Sequence, residues 1–186
     1  MNLEAATSLS LEIRPLIAAD LPRLMGMDHT TFSEYVWQLD LRRENGQVVA
    51  GFREVRLPRP IGVVYPRNPF ALADEWKNRS QVLVALSRGE PVGYACLLEH
   101  SHATTAWVTD LVVSQEVRRR GVGSALIDAA QAWAESRSDR NIFLEMPSKN
   151  YPAIRLALKL GFEFCGYNDH YYVTQDVALF FGRTLM

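Results

Sequence analysis

Cysteine is scarce in this chain. Cys96 and Cys165 are the two among 186 residues, far apart and without paired spacing, so neither a disulfide framework nor a cysteine metal site organises the fold. Each reads as a small buried hydrophobe, Cys96 within the apolar run GYACLL. An excess of one charge is also missing. Twenty Lys and Arg oppose 21 Asp and Glu, a formal charge of −1, so no general attraction to nucleic acid or an anionic membrane is expected and any basic site must be local. No run approaches the roughly 18 apolar residues that cross a bilayer. The opening MNLEAATSLS lacks the basic and apolar segments of a secretory leader, and a soluble, cytoplasmic setting is expected. His29, His100, His102 and His170 have no zinc-ligand spacing with either cysteine, although His100 and His102 alternate on one strand-like face, and no metal is expected. Repeats, low-complexity tracts and linkers are absent too. Residues 1–186 therefore read as one domain, large enough to bury a core.

What is present is a sequence of short periodic segments. LEIRPL (11–16) alternates like a strand, and AADLPRLMGM offers Asp20 as a cap and Pro22 in the first turn of a short helix. Residues 28–78 are less regular. TTFSEYVWQLDL has a spacing a helix could use, QVVAGFREVRL reads as a strand, and RLPRPIGVVYPRNPF carries four prolines. QVLVALSRGEPVGYACLLEH then predicts a hairpin turning at Arg88, Gly89, Glu90 and Pro91, and WVTDLVV a further strand. Helical spacing resumes at Val122, Leu126, Ala129 and Trp133, with Ala125 and Ala132 filling the stripe. NIFLEM (141–146) returns to strand character, which completes a β-α-β unit. In SKNYPAIRLALKLGF, Asn150 caps a helix, Pro152 fits its first turn, Ala153, Ile154, Ala157 and Leu158 form its buried stripe, and Gly161 ends it. FEFCGY, YYVT and DVALFFGRTL read as closing β-rich runs.

The stretch VRRRGVGS (117–124) places two glycines and three arginines where the first of those helices must start. A helix N-terminus presents unpaired amides and the positive end of the backbone dipole, and so attracts phosphate wherever the backbone can be approached. Gly121 and Gly123 remove obstructing side chains, Ser124 adds a hydroxyl, and Arg118, Arg119 and Arg120 supply counter-charge. Neither the G-x-G-x-x-G dinucleotide spacing nor the G-x-x-x-x-G-K-[ST] P-loop spacing is met.

The segment Arg118-Arg119-Arg120-Gly121-Val122-Gly123, preceded by the strand TDLVV, resembles the R-x-x-G-x-G cofactor loop of the GCN5-related N-acetyltransferases. A second block, LEMPSKNYPAIRLALKLGF (144–162), is similar to that superfamily's next strand and helix, nearest in motif to ribosomal-protein N-terminal and streptothricin-type acetyltransferases. The resemblance implies an α/β fold: one mixed, twisted sheet of six to seven strands, splayed at its centre and flanked by about four helices. It implies acceptor-side elements at about 18–80, a cofactor-binding core at about 81–162 and C-terminal strands at 163–186. It also implies acetyl-CoA as acyl donor, with its pyrophosphate on residues 118–124, its pantetheine arm paired with the backbone of Leu111, Val112 and Val113, and its thioester end near Asn150 and Ala153. The protein would act as a monomer or homodimer.

Direct acetyl transfer needs a deprotonated amine, a polarised carbonyl and a proton for the departing thiolate. The resemblance puts Glu145 where related N-terminal acetyltransferases carry a catalytic glutamate, and Asp110 where the family is often acidic. It departs at Ala157, where many relatives have a tyrosine that protonates the coenzyme sulfur. Tyr151, Tyr167, Tyr171 and Tyr172 are the phenols available to replace it, Tyr172 standing with Glu145 and Asp110 as candidate catalytic groups. Ala157→Tyr would be neutral or mildly activating if space allows. Asp28, Glu34, Asp40, Asp74 and Asp169 could attract a cationic amine. Two functions fit: acetyl transfer to a primary amine of a small molecule or peptide, and a coenzyme A-binding sensor without turnover.

Overall fold

A computed structural model describes residues 10–100 and 104–185. The central element is a seven-stranded mixed sheet in the order β1-β4-β5-β6-β7-β9-β8. Its strands are β1 (Leu11–Pro15), β4 (Gln81–Ser87), β5 (Glu90–His100), β6 (Thr105–Val113), β7 (Asn141–Pro147), β8 (Glu163–Asn168) and β9 (Ala178–Thr184). β2 (Thr31–Glu44) and β3 (Gln47–Val63) form a separate two-stranded hairpin. Four α-helices accompany them among the described residues: α1 (Leu21–Met25), α2 (Leu72–Glu75), α3 (Val122–Ser136) and α4 (Tyr151–Lys159).

The β4–β5 hairpin turns where expected, through Arg88 and Gly89 at φ 53° and 82°, the paired left-handed conformation that matches strand twist. β6, α3 and β7 form the β-α-β unit, with β6 and β7 parallel. One face of the sheet is covered by α3 and α4, whose Val122, Leu126, Ile127, Ala130, Ile154 and Ala157 are buried against it. α1 and α2 lie on the other face, where Leu24 and Leu72 meet Val82, Val84, Tyr94 and Val112.

Residues 31–44 are a strand, not a helix. Its partner is reached through Asn45-Gly46 at φ 49° and 78°, a two-residue turn that favours a hairpin over any helical continuation. Trp37 and Phe52 of this hairpin pack on Phe164 and Phe181, which brings it onto the α3/α4 face. The α3 stripe is also rotated from expectation, with Ala132 exposed and Ile127 and Ala130 buried, because the helix sits over β4, β5 and β6 together. Leu158 of α4 is exposed, and so is Cys165, which lies on the edge strand β8 rather than in the core. Cys96 is buried as expected. Asp20 does not cap α1. Its carboxylate turns back to Arg14 at 2.8 Å and accepts the Ile17 N–H. YYVT is irregular rather than a strand, with Tyr172 turned inward and Val173 outward. The opening segment and His102 lie outside the described residues.

Candidate active site

The site begins where two strands part. β6 pairs with β7 only from Thr105–Asn141 to Val108–Leu144, yet it stays paired with β5 to Val113. Residues 109–113 therefore offer a strand edge without a strand partner on the β7 side, among the described residues. A bulge at Thr109 sits at the point of separation, between the Cys96–Asp110 and Leu97–Val108 pairs, and re-aims the residues beyond it. The gap opens into a cavity of about 60 Å³ lined by Asp110, Leu111, Glu145, Asn150, Ala153 and Tyr172.

At one end of the gap lies the start of α3. Gly121 is left-handed at φ 89° with open space around its Cα, so it makes the turn that aims the helix N-terminus at the gap. Ala125 is the first residue whose amide is bonded back into the turn, to Gly121 O, which leaves the amides of Val122, Gly123 and Ser124 available. The side chain of Val122 is in the core, so it can face a phosphate only through its backbone. Gly123 serves packing as well: a Cβ there would stand 3.1 Å from Leu156 of α4. The three arginines divide. Arg119 and Arg120 are exposed, while Arg118 folds back and its Nε donates to Val113 O at 2.9 Å. Burial lowers the Arg118 pKa. Asn150 accepts the Ala153 N–H, a helix cap at the rim of the gap.

Asp110 and Glu145 face the gap from β6 and β7, their side chains nearly inaccessible, and Arg67 joins them. Its guanidinium donates to Asp110 at 3.1 Å, to Glu145, and to the bulge carbonyl of Thr109 at 2.9 Å, and lies 5.5 Å from the centre of the Tyr172 ring. Burial opposes its charge, but Asp110 and Glu145 together outweigh that and raise its pKa. Asp110 also accepts from Tyr65 and, at 2.8 Å, from Thr109 Oγ1. Glu145 also accepts from Tyr171 at 3.1 Å. Burial, reinforced by Glu145, raises the Tyr172 pKa and keeps that phenol protonated. Burial and Asp110 do the same for Tyr65. On the α1/α2 side a second cavity of about 280 Å³ shares Tyr65, Arg67 and Asp110 with the first and is closed by Leu72, Glu75 and Tyr94. Tyr94 bonds His29 at 3.0 Å, and the other ring nitrogen of His29 lies 2.8 Å from Met27 O.

Asp110, Leu111, Glu145, Asn150, Ala153 and Tyr172 thus line one gap, Gly123 packs beside it against Leu156, and Val112 turns to the α1/α2 face. Of the four phenols, Tyr172 lines the gap, Tyr171 touches Glu145 from outside, Tyr167 packs on Phe52, and Tyr151 packs on Tyr35. Ala157 is fully buried in the core, so the space a tyrosine would need there is filled. Asp28, Glu34, Asp40, Asp74 and Asp169 line neither cavity. Asp28 is held by Thr30 and Gln115, and Asp40 by Arg42. Arg67 and Tyr65 are not among the residues the sequence singles out. Their only signal is the rigid YPRNP segment after β3, which delivers both side chains to the site.

A helix N-terminus at the mouth of a strand gap that holds two carboxylates points to acyl transfer, and the family model for the acetyltransferase (GNAT) family matches residues 49–162. The chain belongs to this family. It is an acyl-CoA-dependent N-acetyltransferase. Over 167 residues, 87% of this chain and 86% of the relative, the acetyltransferase is 25% identical to a streptothricin acetyltransferase of Streptomyces lavendulae. It is 34% identical to an N-alpha-acetyltransferase of Sulfurisphaera tokodaii over 79 residues, 42% of this chain and 47% of that one. Its fold matches a crystal structure of nourseothricin acetyltransferase with a TM-score of 0.80 at 24% identity, covering 95% and 99% of the two chains. A Bacillus anthracis str. Ames protein solved with acetyl coenzyme A matches with a TM-score of 0.74 at 23% identity, covering 97% and 100%.

Proposed function

We propose that the protein moves an acetyl group from acetyl-CoA to a primary amine of a small molecule, by direct transfer while both are bound. The parting of β6 from β7 carries this reading, because it supplies the slot for a pantetheine arm with carboxylates at its inner end. The donor fits this chain's residues. The free amides of α3 suit its pyrophosphate, Arg119 and Arg120 its charge, and the edge at Leu111–Val113 its amide groups. The acceptor enters from the α1/α2 side, where the larger cavity meets Asp110. The amine nitrogen forms its bond to the acyl carbon as the carbon–sulfur bond breaks. Glu145 takes the amine proton, directly or through water, Asp110 and Arg67 hold the charge balance, and Tyr172 gives a proton to the leaving sulfur. The match to the streptothricin enzyme over most of both chains supports a small acceptor, since the N-alpha-acetyltransferase match covers less than half of either.

Thiol release across a panel of amines, peptides and amine-bearing antibiotics tests this reading, beside calorimetry with acetyl-CoA. Release with at least one small amine is expected, and a folded Gly121→Glu, Gly123→Glu variant should lose donor affinity. Donor binding with no release on any amine would instate the sensor instead.

A further inference from the structure

The site does not end at Glu145. Along the same face of the sheet, aromatic side chains continue from it without a break. Tyr171, whose hydroxyl touches Glu145, meets Phe180 edge to face at 5.8 Å. Phe180 meets Trp107 at 5.4 Å, and Trp107 stacks on Phe143 with centroids 4.8 Å apart and planes 24° from parallel. His100 stands at the far end, 6.4 Å from Trp107. The strand register places them there. Phe180 lies opposite Glu145, and Trp107 is paired with Phe143, two residues before Glu145 on β7.

These rings belong to neither core. Trp107, Phe143 and Phe180 pack into neither of the two buried clusters and are only partly buried, and Tyr171 is 44% exposed. A solvated sheet face ordinarily carries polar side chains. Here it carries a cluster of rings packed edge to face around the stacked Trp107–Phe143 pair, and a Cβ at Gly182 would come within 2.7 Å of Phe143, so that glycine makes room for the ring over β9. α1 and α2, the described helices on this side, pack instead over β4, β5 and the end of β6.

We propose that this platform is the acceptor's second contact, seating an aromatic ring whose primary amine reaches Glu145. The inference rests on the acetyl-transfer reading above and names its substrate class: a small amine with a flat ring roughly 7 Å from the reacting nitrogen, the rise of two strand residues. Continuity selects this occupant, since the platform is joined to the reactive carboxylate through Tyr171. Charge agrees with it. Asp110 and Glu145 against Arg67 leave one formal negative charge at the amine end, while the platform itself is neutral and apolar.

Calorimetry on the protein saturated with coenzyme A tests the proposal without turnover, comparing a phenyl-terminated alkylamine with an acyclic amine of equal length. The ring-bearing amine should bind about tenfold tighter, the scale of one good aromatic contact. Trp107→Ala and Phe180→Ala should each remove most of that advantage and leave coenzyme A affinity within about twofold, while Trp107→Phe keeps most of it. Should Trp107→Ala fail to fold, Phe180→Ala reads the same contact. Equal affinity for the two amines, no binding of either, or a preference that survives both alanine variants overturns the platform. Ring-selective binding with no acetylation of any amine would leave it standing and sink the function proposed above.

Discussion

Arg67 and Glu145 are joined across the gap by one arm of a guanidinium whose other arm holds Asp110, so a residue from the segment after β3 ties two diverging strands together. Arg67→Met would leave two nearly inaccessible carboxylates without their shared cation. A loss of about 3 kcal/mol is expected, the low end for breaking a buried pair, because Arg67 is itself partly open. Adding Asp110→Asn and Glu145→Gln should recover part of it, a non-additivity that urea unfolding of the single and combined variants will read. Arg67→Lys keeps the charge but not the fork and should fall between.

Gly121 and Gly123 are expected to fail differently. Gly121 is left-handed with open space around it, so Gly121→Ala is strained by roughly 1–2 kcal/mol of backbone conformation alone. Gly121→Asn should be milder. Gly123→Ala meets the end of the Leu156 side chain, which can yield, so stability should change little. Thermal unfolding with and without acetyl-CoA separates the two, with the larger loss of ligand-induced stabilisation at Gly121.

His29 gives stability a pH dependence. Burial lowers its pKa despite Met27 O, Asp28 and Asp110, so the folded protein binds fewer protons at this ring than the unfolded chain. Stability from this residue is complete above the unfolded value of about 6.5 and is lost as pH falls below it. His29→Gln, which keeps an acceptor for Tyr94, should flatten the slope of unfolding free energy between about pH 7 and pH 5. A slope unchanged in that variant would assign the dependence to other groups. Asp20, held below its ordinary value first by Arg14, acts at lower pH still, below its reference of 3.8.

The parts legible in the sequence are those set by local chemistry. The 88–89 turn, the α3 start at Gly121 and the Asn150 cap each rest on residues that permit one backbone geometry better than others. The β2–β3 hairpin was equally legible at Asn45-Gly46, and the helical spacing of TTFSEYVWQLDL masked it. What could not be read is long-range. Arg67 stands 43 residues from Asp110 and 78 from Glu145, and no periodicity reports such a pairing. The aromatic platform is hidden the same way, because Trp107, Phe143 and Phe180 come from three strands and each looks like core text by itself.

The proton route is the sharpest test of the site. Both oxygens of Glu145 are engaged, one by Arg67 and one by Tyr171, so the carboxylate can accept an amine proton only if the bound acceptor displaces one of them or a water relays the proton. Glu145→Gln keeps the shape and removes the base. It should leave acetyl-CoA affinity intact and cut kcat by roughly 10² to 10⁴, the range for a positioned base. Tyr172→Phe keeps the ring beneath Arg67 and removes only the hydroxyl, so its defect should be smaller with a donor whose thiol is more acidic. With a confirmed amine, kcat should stay below the wild-type value in Glu145→Gln across the whole pH range in which both proteins are folded. Full activity there with an unchanged profile would eliminate Glu145. The role would then pass to Asp110, already committed to Tyr65, Thr109 and Arg67, or to no residue, the enzyme selecting the neutral fraction of its amine.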